Sequence, residues 1–282
     1  MTEGEAAPAT AAEQGSRNLL LRIIAALVLA PAALAIAYAG GLLWAVLVTA
    51  ASVGLFVEWL MVVGAVHDRR VVLIGGLSLS LSGLGFASGR IDAGLAVLLI
   101  GAAATAWFSK APWGWNTAGF GYAAVAEIAS IAVRLDQSFG FVALVLILLV
   151  VWVTDIGGYF AGRGIGGPKL WPRISPKKTW AGALGGFAAS LVIAAGFVAL
   201  GLGRAVPLVF LSGLLSVVSQ LGDLFESAVK RRFGVKYSSH LIPGHGGLMD
   251  RLDGFVAAVV LAAILGFFRG GADGVGRGLM VW

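Results

Sequence analysis

Residues 219–254, SQLGDLFESAVKRRFGVKYSSHLIPGHGGLMDRLDG, place Asp223 and Glu226 three residues apart, then Asp250 and Asp253 three apart again. On a helix that spacing puts both members of a pair near one face. A second polar stretch, TDIGGYFAGRGIGGPKLWPRISPKKTWAG at 154–182, carries Arg163, Lys169, Arg173, Lys177 and Lys178, with no acidic residue between the first and the last. Carboxylates bind hard cations, and Mg²⁺ uses one or two of them plus water and substrate phosphate. Gly162, Gly164, Gly166 and Gly167 among the basic side chains would let backbone amides approach a polyphosphate. Together the two regions suit phosphoryl or nucleotidyl transfer, with one metal ion or two clamping the attacking and leaving oxygens.

Within the acidic stretch, Gln220, Asp223, Ser227 and Lys230 follow i, i+3, i+7, i+10 and form one helical stripe, with Glu226 close to it. Asp223 and Asp250 are the candidate metal carboxylates; the competing role for each is an interhelical salt bridge with Lys230 or Arg251. Asp253 serves either the site or the dipole at the start of the last span. Asp155, just before GGYFAGRG, belongs at the cavity edge. Ser175 and Thr179 in SPKKT add hydroxyls to two ammonium groups, and Thr179 suits an N-cap. His245, between glycines, fits a metal ligand, a phosphate donor or a turn; His240 and Glu127 have no assignable role. Taken alone, the basic loop equally suits topogenic charge facing anionic headgroups.

The remaining chain must position these groups, and it is 59% hydrophobic and only 12% charged. Its apolar residues fall in blocks of about 20, the length that crosses a hydrocarbon core about 30 Å thick. Blocks rather than amphipathic periodicity indicate an all-α, polytopic helical membrane protein; strands are not expected. Nine spans are expected at 19–39, 42–64, 71–88, 93–109, 117–134, 139–161, 180–202, 206–229 and 254–269. Glu127 interrupts the fifth. The first reads as a retained anchor rather than a cleaved signal, being long and containing Pro31. Residues 1–17 read as a disordered cytoplasmic tail, 18–134 as N-terminal membrane helices and 135–282 as the catalytic membrane region. The chain has no Cys, which excludes disulfides and thiolate metal sites.

Nine spans put the N-terminus and the breaks after spans two, four, six and eight on one side. That side holds Arg17, Arg69, Arg70, Lys110, Arg163, Lys169, Arg173, Lys177, Lys178, Lys230, Arg231, Arg232, Lys236 and Arg251. The other holds Arg90, Arg134, Arg204, Arg269 and Arg277. The positive-inside bias makes the first side cytoplasmic and brings both polar stretches to it. This topology accounts for the basic balance without a nucleic-acid partner.

Residues 227–253, SAVKRRFGVKYSSHLIPGHGGLMDRLD, resemble the signature of the phosphatidate cytidylyltransferase (CDP-diacylglycerol synthase) family. That pattern runs Ser-x-apolar-Lys-Arg, four residues, Lys-Asp, then Pro-x-His-Gly-Gly-x-x-Asp-Arg-x-Asp. Ser227, Lys230, Arg231, Lys236, Pro243, His245, Gly246, Gly247, Asp250, Arg251 and Asp253 match in register. SQLGDLFES and GRGIGGPKLWPRISPKKT also resemble family segments. The sequence departs from the family at Tyr237, where an acid is usual, at Ala181, where a glutamate is usual, and in Asp155-Ile156-Gly157-Gly158 for Asp-Thr-Gly-Ala.

The resemblance implies transfer of CMP from CTP to phosphatidate, giving CDP-diacylglycerol and pyrophosphate in a bacterial-type inner membrane. Asp223 and Asp250 would hold Mg²⁺, while Lys177, Lys178 and Arg251 would contact the triphosphate. Lys230 and Arg231 would bind the lipid phosphate, with Ser175, Lys236, His245, Gly246 and Gly247 also on substrate. Gln220, Glu226, Asp253 and Asp155 would support them. A homodimer is compatible with this reading. Two alternatives are an anionic-solute transporter, against which stands the clustering of polar residues at one face, and a cytidylyltransferase for a different lipid phosphate.

Overall fold

The computed structural model describes residues 30–110, 112–239 and 246–282. Its elements are α1 (Ala30–Ala39), α2 (Gly41–Val62), α3 (Arg69–Ala87), α4 (Ile91–Phe108), α5 (Trp113–Leu135) and α6 (Gly140–Gly164). There follow β1 (Lys169–Trp171), β2 (Ser175–Thr179), α7 (Trp180–Ala199), α8 (Ala205–Arg232), α9 (Met249–Gly270) and a short α10 (Val275–Met280). Among the described residues, α2 to α9 are eight helices long and apolar enough to cross a membrane, and they correspond to the expected spans two to nine. The first expected span is described only from Ala30, as α1; its earlier residues and the N-terminal tail lie outside the described residues.

Large apolar side chains such as Leu99, Trp107, Val206 and Phe268 point outward from the bundle, as lipid contact requires. Inside, α6 and α7 make the most extensive helix pair, and the contact is built on glycine. A Cβ on Gly182 would lie 2.8 Å from the Gly158 carbonyl oxygen, and one on Gly157 would lie 3.0 Å from the Gly185 carbonyl. Small residues let the two backbones meet, the usual solution where no hydrophobic effect drives helix association. Gly162 belongs to this seam, facing Thr179 and Gly182, so its role is packing rather than anion binding. Thr154 Oγ1 donates to Ser216 Oγ at 2.9 Å, fixing α6 to α8.

Two features differ from expectation. The SPKKT segment forms an antiparallel hairpin with KLW, in register Lys169↔Thr179 and Trp171↔Ser175, outside the membrane spans. The positive φ of Gly166 (70°) and Gly167 (88°) turns the chain out of α6 into it. Meanwhile α9 starts at Met249, earlier than residue 254, so Asp250 and Asp253 are helical.

Polar groups gather at the two ends of the bundle. At one end Arg134 Nε donates to the Ala37 carbonyl (2.5 Å), and Asp136 accepts from the Arg277 amide (2.7 Å). At the other end the C-terminal ends of α2, α6 and α8 meet the N-terminal ends of α5, α7 and α9. Glu127, fully buried between these ends, accepts from Thr49 on α2 (2.9 Å) and Ser82 on α3 (3.0 Å), so it ties three helices together.

Candidate active site

Strand β2 presents alternate residues to opposite sides, leaving Lys177 exposed and turning Lys178 inward. Lys178 Nζ lies 2.5 Å from Asp223 Oδ2 on α8. Asp223 Oδ1 also accepts from Ser227 Oγ, 3.3 Å away and one helical turn on. The hairpin is held to α7 by its last residue: Thr179 caps that helix, its hydroxyl accepting from Gly182 N at 3.1 Å. The two polar stretches of the sequence, separated by most of α7 and the first half of α8, thus meet through one ion pair.

Below that contact, Asp155 on α6 lies close enough to Asp223, Asp253, Lys178 and Arg251 for charge–charge interaction. Asp253 on α9 also meets the carboxyl of Glu226 on α8. Glu226 is 2% exposed, and its Oε1 is 3.2 Å from Lys230 Nζ, an ion pair without hydrogen-bond alignment. Lys230 Nζ makes its shorter contact, 2.5 Å, with Asp250 Oδ1. Asp250 Oδ2 accepts from Ser238 N (3.2 Å) and Gly247 N (3.0 Å), and the Ser238 hydroxyl lies 3.1 Å away, between it and the nearer Glu58 Oε2 at 2.9 Å. Asp250 therefore makes the interhelical salt bridge with Lys230 that a structural role requires, whereas Asp223 pairs with Lys178.

The other residues expected at the site fall around this cluster. Gln220 Nε2 donates to the Ala183 carbonyl at 3.3 Å, joining α8 to α7. Ser175 is half-buried at the start of β2. Arg231 is exposed, its guanidinium 3.4 Å from the Val235 carbonyl, and Lys236 lies over the Tyr237 ring at 5.3 Å. Arg251 is exposed beside Asp250. Gly246, with φ 83°, leaves room beside Asp250 Oδ2, and Gly247 is buried. His240 and His245 lie outside the described residues. An apolar cleft of about 620 Å³ between α7 and α8, lined by Phe187, Leu191, Val209 and Phe210, contains none of these polar groups.

One residue at this end was not among those expected. Glu58, on α2 and 1% exposed, accepts four hydrogen bonds from the segment that carries Asp250. The signal was available: Glu58 is the sole acid in an apolar 22-residue helix, and a membrane acid usually has a specific task. An aromatic group packs beside it, with Trp59 donating from Nε1 to the Trp115 carbonyl (2.8 Å) and lying tilted against Tyr122 and Phe225.

A polytopic helical membrane protein whose acidic and basic groups converge at one end of the bundle is the class these features define. The cytidylyltransferase family model matches residues 20–268, and the chain belongs to that family. It is 42% identical to the phosphatidate cytidylyltransferase of Brucella suis biovar 1 (strain 1330) over 260 residues, covering 88% of this chain and 93% of the relative. Shorter matches include the phosphatidate cytidylyltransferases of Haemophilus influenzae, 42% identical over 47% of this chain and 48% of the relative, and of Bacillus subtilis (strain 168), 45% identical over 44% and 46%.

Proposed function

We propose that this chain transfers CMP from CTP to phosphatidate, releasing pyrophosphate and forming CDP-diacylglycerol. The observation that carries the reading is the Lys178–Asp223 contact, which unites a cationic hairpin with a carboxylate cluster at the helix ends. The family and its relatives support it, and they set aside the transporter alternative.

The phosphatidate phosphate is already an anionic nucleophile. One of its oxygens forms the new bond to the α-phosphorus of CTP as the bond to the bridging oxygen of pyrophosphate breaks. No strong base is needed; alignment and charge neutralisation supply the catalysis. Lys177, Lys178 and Arg251 hold the triphosphate and neutralise charge on the leaving pyrophosphate. Arg231, at the exposed end of α8, takes the lipid phosphate, with Lys230 buried behind it and fastened to Asp250.

A divalent cation suits part of this donor set. Asp223 is half-exposed and its Oδ2 already holds one cation, the Lys178 ammonium. Asp250 can lend only Oδ1, now on Lys230, because Oδ2 is taken by the backbone amides of Ser238 and Gly247. Among the described residues no three His, Cys, Asp or Glu side chains form a ready metal shell, so a bound ion would draw its other ligands from water and phosphate. Asp223 and Asp250 would hold Mg²⁺, which would polarise the phosphoryl oxygens. Asp253, Asp155, Glu226 and Gln220 set the surrounding charge and geometry. The basic residues favour a cytoplasmic location for this end.

The deciding assay is purified protein in detergent with labelled CTP, phosphatidate and Mg²⁺. Labelled CDP-diacylglycerol with equimolar pyrophosphate is the expected result. Folded protein that forms neither product would refute the reading.

A further inference from the structure

The hydrogen bonds to Glu58 have a specific geometry. Oε1 accepts from Ser239 Oγ and Leu248 N, both at 2.7 Å. Oε2 accepts from Ser238 Oγ at 2.9 Å and Met249 N at 2.7 Å. Leu248 and Met249 begin α9, where backbone amides have no partner within the helix. Glu58 therefore caps α9 from another helix. Each of its oxygens takes one backbone N–H, so both ends must be acceptors. A carboxylate meets that demand, whereas a carboxamide of the same shape turns an NH₂ toward one of the two amides.

The surrounding residues are shaped to admit this carboxylate. A Cβ on Gly247 would collide with the Ser238 hydroxyl and lie 2.5 Å from Glu58 Oε2, so the second glycine of the His-Gly-Gly motif leaves the space that the hydroxyl and the carboxylate share. One turn before Glu58, Gly54 makes room for Leu248: a Cβ there would be 2.9 Å from Leu248 Cδ2. Ser238 extends the arrangement, since its hydroxyl contacts both Glu58 Oε2 and Asp250 Oδ2. Through Asp250 the chain of contacts reaches Lys230 and then Glu226.

We propose that Glu58 is a positioning residue for CMP transfer: without touching substrate, it sets the start of α9 and hence the places of Asp250 and Arg251. The proposal rests on the CMP-transfer reading above. It assigns the N-terminal half a direct part in the geometry of the site, beyond anchoring in the bilayer.

The test compares wild type, Glu58→Gln and Glu58→Asp as purified, folded proteins. Glu58→Gln should lower kcat about 10- to 100-fold, the scale expected when reacting groups are displaced by about 1 Å, with KM for CTP changing much less. Glu58→Asp keeps two acceptor oxygens and should recover part of the loss. Hydrogen exchange should quicken at the Leu248 and Met249 amides in Glu58→Gln and stay unchanged in α3 and α4. If Glu58→Gln does not fold, Ser239→Ala, which removes a single donor to Oε1, should still lower kcat with KM preserved. Wild-type kcat and exchange in a folded Glu58→Gln protein would overturn the proposal, as would a loss of activity matching only the unfolded fraction. Should the wild type be inert toward CTP and phosphatidate, the substrate reading falls, and the exchange measurement still decides whether Glu58 holds α9.

Discussion

Lys178 Nζ and Asp223 Oδ2, 45 residues apart in the chain, lie 2.5 Å from each other and join an extramembrane hairpin to a membrane helix. Both side chains keep about 30% of their surface open, 27% and 31% respectively. An ion pair so placed contributes roughly 0–1 kcal/mol to stability. Its importance must then lie in what the two charges bind.

Lys178→Met should therefore leave the unfolding midpoint in detergent almost unchanged. It should lower kcat/KM for CTP about 10- to 100-fold, the effect of losing a preorganised electrostatic contact to the transition state. A thermal melt and CTP titration on the same preparation would decide it; a large drop in midpoint with normal CTP kinetics would contradict the assignment.

The buried triad should respond oppositely. Lys230 bridges Glu226 and Asp250, and all three side chains are at least 89% buried. Removing one partner from a buried pair costs about 3–5 kcal/mol because it leaves an uncompensated charge. Lys230→Met should thus melt well below wild type, while Lys177→Met, on the exposed side of β2, should melt close to it.

The glycine seam makes a sharper comparison. At Gly182 an added methyl would meet a backbone carbonyl at 2.8 Å, but at Gly158 the nearest atom is 3.4 Å away, an ordinary contact. Gly182→Ala should cost about 1–3 kcal/mol through overpacking. Gly158→Ala should be close to neutral. Equal melting temperatures for the two variants would show that α6 and α7 can separate freely.

Sidedness is testable because the chain has no Cys, so an introduced thiol is the only one. Lys169→Cys, in β1, should react with a membrane-impermeant maleimide only from the cytoplasmic side. Arg204→Cys, before α8, should react only from the other. Labelling of both from one side would reject the nine-span topology.

The apolar blocks and the meeting of the two polar stretches were legible in the sequence because span length and loop parity are local properties. The pairing within the cluster was not. The i, i+3 spacing groups Asp223 with Glu226, yet one faces the hairpin and the other faces α9. That outcome depends on helix rotation, which the spacing leaves open. The hairpin was hidden because KLW and SPKKT are too short to show a strand pattern. Gly162 looked like part of an anion-binding loop, but α6 runs on to Gly164 and uses it for packing. Glu58 escaped notice because two of its four donors are backbone amides about 190 residues away, which carry no side-chain signature.

That separation has a consequence for biogenesis. Among the described residues, each donor to Glu58 is at least 180 residues downstream. At a synthesis rate of about 5–20 residues per second, the Glu58 carboxyl waits about 10–40 s for the start of α9 to be made. During that interval it sits four residues from the end of its helix with none of these later donors in place. The last long helix then completes the first half of the protein, so a ribosome that stalls before residue 248 leaves behind an acid that the finished bundle would have covered.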